Sequence, residues 1–220
     1  MTRIDLCTPV HKAVRVLLFE TTTLAARTAF DDAGDIVRLA ERVRALFGYL
    51  AEHQEHEDVV VMPEFRRLAP ALFAELDNEH NRMAGMEEEI LRVFDRLEDA
   101  GSAEREALGR KLQHQLHRLV SAQLVHLERE EVEGNRVLWA NFDDAALAAM
   151  HARVLARIAP PRAMEWMSMI LPALAPTERA VMLNDMRAKM PGAAFEALTA
   201  GARSTLGEKA WEAALAARVA

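Results

Sequence analysis

An all-α protein is what this sequence predicts, and three observations predict it. Apolar residues make up 51% of the 220 residues but aromatics only 5%, so a core is assured while the aromatic and β-branched runs that strands favour are short. Alanine, leucine, arginine, glutamate and methionine fill nearly every segment, and all are good helix formers. Glycine and proline are few, and they fall between the periodic runs, where helices start and stop.

Taken in order, Thr8-Pro9 predicts a helix start, with Thr8 as cap and Pro9 at the first helical position, and an apolar-periodic run follows from Val10 to about Phe30. Asp31-Asp32-Ala33-Gly34-Asp35 is a turn, after which the period resumes from Ile36 to Met62 and stops at Pro63. Pro63 and Pro70 bracket a short connector. A third helix spans Ala71 to Ala100 and closes at Gly101. Ser102 is the expected cap of a fourth helix running to about Glu130, with Glu104 and Glu106 placing negative charge where the helix dipole favours it. Four long helices with short links predict an up-down-up-down four-helix bundle over residues 1–142. Beyond it, over 143–220, prolines at 160, 161, 172, 176 and 191 cut the chain into short helices, with Thr177, Gly192 and Gly207 near their ends. This part, carrying Met164, Trp166, Met167, Met169 and Trp211, is expected to be a C-terminal helical extension and a candidate homodimer contact.

Charge and cysteine content narrow the function. The 27 basic residues are scattered among 34 acidic ones for a net charge of −7, which argues against nucleic acid. No segment approaches the ~20 uninterrupted apolar residues that a membrane span needs. A single cysteine, Cys7, excludes an internal disulfide framework and fits a reducing compartment, so a cytoplasmic protein is expected.

The chemistry is concentrated in histidines. His11 lies early in the first helix, and His53 with Glu57 lies late in the second; the midpoint of 11 and 53 is residue 32, inside the predicted turn. Antiparallel helices of equal rise then put the two histidines level. The second hairpin repeats the arrangement, with His80 early, His126 and Glu130 late, and a midpoint at 103 beside Gly101-Ser102. Each His-x3-Glu pair, HQEHE at 53–57 and HLERE at 126–130, shares one helix face. Four imidazoles and two carboxylates converging in a core are costly to bury unless a cation compensates them. The ferritin-like Glu-x-x-His pattern is absent, since positions 50 and 123 are Leu50 and Gln123. Six ligands with two carboxylates favour two harder ions over a single zinc.

The set His11, His53-x3-Glu57, His80 and His126-x3-Glu130, over roughly residues 8–140, resembles the hemerythrin-like (HHE cation-binding) family. The resemblance implies a four-helix bundle holding two non-haem iron ions joined by an oxo or hydroxo group. Glu57 and Glu130 would bridge the metals, with His11 and His53 on one iron and His80 and His126 on the other. It also implies a small ligand, O2, NO or peroxide, in sensing, scavenging or stress response. Oxygen-carrying members have a further histidine one turn after the third-helix histidine; here that position is Ala84, which argues against reversible end-on O2 carriage. Glu79 or Glu87 is a candidate to fill that coordination position.

The remaining candidates have plainer readings. His56 is expected in solvent or beside the ligands, His114 and His117 away from the metals, and His151 beyond the bundle. Tyr49 is a core tyrosine one turn before His53, and Cys7 an ordinary thiol. The runs 87–89 and 128–131 are expected to be solvated faces, with Glu130 alone turned inward. The alternative function is a metal-stabilised regulatory or interaction protein acting through its C-terminal helices, or an iron-handling protein. Binding or sensing is favoured over dedicated enzymatic turnover, with peroxide reduction the enzymatic option.

Overall fold

The computed structural model describes residues 3–217, and every regular element among them is helical. The predicted domain limits at 1 and 220 lie outside the described residues. The chain divides into two compact units, Val14–Asp143 and a second that joins the residues up to Ala13 to those from Asp144 onward. The dividing line falls within α1 (Thr8–Arg27), which is one unbroken helix.

The cap of α1 comes from Asp5, whose carboxylate accepts the Cys7 and Thr8 N–H groups, each at 2.9 Å, and the Thr8 hydroxyl at 2.6 Å. Thr8 is therefore already helical and does not cap, and the helix stops at Arg27, short of the expected Phe30. In α2 (Ala33–Val60) the predicted turn supplies the cap, with Asp32 Oδ1 accepting from the Gly34 and Asp35 N–H groups at 2.7 and 3.1 Å.

The connector between Pro63 and Pro70 is itself a helix, α3 (Met62–Leu68). Proline stands in its first turn, where an N–H has no helical partner to lose, so it ends α2 and still begins a new helix. Pro70 begins α4 (Pro70–Asp99) in the same way. The helix α5 (Ser102–Arg129) starts from Gly101 with no side-chain cap; Ser102 is its first helical residue, so the predicted Ser102 cap does not form. Instead Arg105 Nε reaches back to the Leu97 carbonyl at the end of α4, 3.3 Å away.

The fourth long segment does not stop at Glu130. It widens into a π-helical turn over Glu130–Gly134 and resumes as α6 (Asn135–Asn141). Within this unit α4 packs on α5 and α2 on α3 and α4. Arg42 on α2 pairs with Glu20 on α1 at 2.6 Å, and Gln113 on α5 donates to the Ala25 carbonyl of α1 at 2.9 Å. The interior is leucine-rich, with Leu18, Leu39, Leu46, Leu76, Leu112 and Leu119 essentially sealed from solvent.

The second unit holds α7 (Asp144–Leu155), α8 (Pro160–Ala173), α9 (Pro176–Lys189), α10 (Gly192–Leu206) and α11 (Glu208–Ala216). Pro160 and Pro176 open helices as predicted, whereas Pro172 lies inside α8 near its end and does not cut it. Gly207, at φ +75°, makes the left-handed step between α10 and α11 that a side chain would resist. α8 packs on α10 and α9 on α11. Arg179 is buried and donates to the Leu171 and Leu174 carbonyls at 2.7 and 2.8 Å, satisfying the exposed end of α8. Trp166 and Trp211 are core residues of this unit, and Met164 is the exposed member of the predicted contact set.

Candidate metal centre

All six ligand candidates are interior side chains: His11 is 0% exposed, His53 8%, Glu57 7%, His80 5%, His126 2% and Glu130 2%. α1 contributes His11, whose N–H is bonded to the Cys7 carbonyl at 3.1 Å, so the capped first turn fixes its backbone. α2 contributes His53 and Glu57, α4 contributes His80, and α5 with the π turn contributes His126 and Glu130.

The structure brings these side chains into two groups that share both carboxylates. One is His11, His53, Glu57 and Glu130; the other is His80, His126, Glu57 and Glu130, each with its ligand atoms within 4.8 Å of one another. Glu57 shows how the sharing works. Its Oε1 lies 3.0 Å from His53 Nε2 and its Oε2 lies 3.7 Å from His80 Nε2, so the carboxylate reaches one histidine of each group. Glu130 Oε1 stands 3.4 Å from His126 Nε2, and the rings of His80 and His126 meet edge-on with centroids 4.5 Å apart.

The electrostatics of this cluster call for a cation. Burial and the nearby Glu57 carboxylate push Glu130 well above the ordinary carboxylate range. Burial and the neighbouring His80 push His126 down to about 4, so its ring is neutral at neutral pH and holds a lone pair for a metal. His80 Nδ1 is buried with no hydrogen-bond partner. Imidazole and carboxylate donors gathered out of water are what a bound cation would satisfy.

A supporting layer surrounds the set. Glu79, a candidate ligand by sequence, instead accepts from His126 Nδ1 at 2.9 Å, leaving Nε2 turned toward Glu130. Glu79 is held in turn by Arg129 at 3.1 Å, which also meets Glu75 at 2.7 Å. Glu131 is not a solvated residue: Arg15 clasps it through two contacts of 2.6 and 3.1 Å. Glu87, the other sequence candidate for the open coordination position, belongs to neither ligand group, and it also departs from the expected solvated face, since burial raises its carboxyl to about 7. Of the others, His114 and His117 are exposed, His56 and Tyr49 half-buried, and Cys7 is a buried thiol outside any disulfide. Ala84, the position of the missing histidine, is exposed.

The π turn and Gly134 carried the weakest sequence signals. A Cβ at Gly134 would stand 3.0 Å from Cζ of Phe65, so the absent side chain makes room for the α3 ring beside the Glu130 turn. The glycine is visible in EEVEGN, but its partner on α3 is not.

The hemerythrin HHE cation binding domain matches residues 2–133. With that match over more than half its length, the chain belongs to the hemerythrin HHE cation-binding family. No curated protein and no solved structure matches the chain. Among the described residues no helix is long and apolar enough to cross a membrane.

Proposed function

We propose that the chain is a non-haem di-iron protein of hemerythrin type, built on an up-down-up-down four-helix bundle, that reacts with or senses O2, NO or peroxide. The observation that carries this reading is the sharing of Glu57 and Glu130 between two histidine pairs. His11 with His53 would hold one iron and His80 with His126 the other, each bridging carboxylate giving one oxygen to each metal. Two irons held in this way supply redox chemistry toward small oxygen- or nitrogen-containing ligands.

The residues of the chain have separable tasks. Glu57 and Glu130 neutralise the cations and fix their separation. His126 is oriented by Glu79 so that Nε2 faces inward, and Arg129 holds Glu79 in place for that role. Leucine packing beneath the ligands keeps bulk water out, which strengthens every charge interaction in the chamber.

Metal content and the visible spectrum, taken anaerobically reduced and then in air, test the reading. About two irons per chain with oxo-bridge bands on oxidation are expected. The double variant His53→Ala/Glu57→Ala should lose the metal while keeping its helical content; full occupancy in that variant, or zinc alone in the wild type, would contradict the proposal.

A metal-stabilised interaction protein is the second reading, favoured by the self-contained core around Trp166, Phe195 and Trp211 in the C-terminal helices. Loss of self-association or partner capture with an unchanged iron spectrum, on charge substitution at exposed Met164, would support it.

A further inference from the structure

The four histidines set a register that can be followed one heptad down each helix. Seven residues advance a helix by about 10 Å and return to nearly the same face. From His11 and His80 that step reaches Leu18 and Glu87, and back from His53 and His126 it reaches Leu46 and Leu119. Leu18, Leu46 and Leu119 are 0%, 1% and 0% exposed. The fourth member of the layer is a carboxyl.

Glu87 sits on the core seam of α4, between buried Met83 and Ile90 and in line with His80 and Phe94. Leucine is the ordinary occupant of such a position. Among the described residues no ionic neighbour or hydrogen bond offsets the loss of water there, and burial alone lifts the carboxyl to about 7. Its neighbours in sequence are engaged elsewhere, Glu88 with Arg92 at 3.6 Å and Glu89 with Gln115 at 3.4 Å. Of the elements packed on α4, α3 offers Glu64 and Arg67, paired at 2.9 Å, and Arg66, stacked on Phe73. On α5, Gln115 and Arg118 stand beside Met86, Glu88 and Glu89 of α4. Among the described residues, the buried ionisable side chains of this unit are His53, Glu57, His80, His126 and Glu130. Glu87 is only half-buried, so it has the route to water that Glu57 and Glu130 lack.

We propose that Glu87 is the proton-holding group of the metal chamber, a carboxyl outside the ligand set that releases its proton when cations load and recovers it when they leave. The inference rests on the two-cation reading above. At about 10 Å and an effective dielectric constant of about 20, each unit of net positive charge in the chamber favours ionisation of Glu87 roughly tenfold. In the step the carboxyl O–H bond breaks, the proton passes to solvent and the carboxylate remains; no electron moves. Metal binding and Glu87 ionisation then favour each other reciprocally.

Zinc, which is redox-silent, is the probe. Protons released on zinc binding at pH 7 are counted for the full chain and for Glu87→Gln, with bound zinc measured in the same samples. Equal zinc and about half a proton fewer released by Glu87→Gln are expected. In the metal-free wild type, carbon-13 spectra of labelled glutamate carboxyls should show one group titrating near neutrality that Glu87→Gln lacks. Should Glu87→Gln fold poorly, Glu87→Leu, which completes the leucine layer, replaces it. Equal zinc with equal proton release overturns the assignment of Glu87 alone; no zinc uptake by the wild type overturns both this inference and the metal reading.

Discussion

His126 carries two hydrogen-bonding nitrogens, and what each one faces decides its role. With Glu79 on Nδ1 at 2.9 Å, the tautomer that leaves the Nε2 lone pair pointing at Glu130 is favoured, and the ring cannot rotate without breaking that bond. Glu79→Gln keeps the size but removes the charge that makes the imidazole a stronger donor. It should weaken metal binding about 10- to 100-fold, read by chelator competition, with unchanged helical content. Unaltered affinity would mean that packing alone orients His126. The sequence held half of this: Glu79 stands beside His80, but its contact with His126 depends on how α5 is rotated against α4, which spacing along one strand of sequence does not specify.

Among the elements, the π turn is the least ordinary. Its wider spacing rotates the chain after Glu130, so Gly134 comes against Phe65 while His126 and Glu130 keep the α-helical spacing that lets both reach the chamber. Phe65 is 1% exposed and has no solvent into which to swing. Gly134→Ala should therefore destabilise the metal-free protein by about 1–3 kcal/mol, measured as a lower denaturation midpoint in urea. An unchanged midpoint would show that the ring yields freely. The predicted end of the helix near Glu130 missed this turn, because the contact that Gly134 makes room for lies with the ring of Phe65 on another helix.

For the whole molecule, the buried ligand set makes stability depend on pH in opposite senses with and without metal. In the metal-free state the folded value of His126, about 4, lies below its ordinary 6.5, so the unfolded chain binds the proton more readily between those values. Stability therefore falls as pH drops through that window. Glu130 is raised above its ordinary 4.5, so the folded chain keeps a proton that the unfolded chain releases, and stability falls as pH rises above 4.5. The metal-free protein should be most resistant to urea at mildly acidic pH. Bound cations require the deprotonated ligands, so loaded protein should instead gain stability toward neutral pH and lose it on acidification. A metal-free midpoint that climbs steadily to pH 8 would contradict the raised carboxyl of buried Glu130.

The sequence by itself determined the helical class, most of the helix limits, the family and the six side chains of the candidate centre. Those properties follow from local preference and from a spacing that the rise of a helix converts into level. Only the tertiary structure decided the outer place of Glu79, the helical character of the Pro63–Pro70 segment and the half-burial of Glu87 on the core seam of α4. These depend on the rotation of each helix about its own axis. That rotation is settled by side chains from several helices packing at once, and no single helix's sequence contains it.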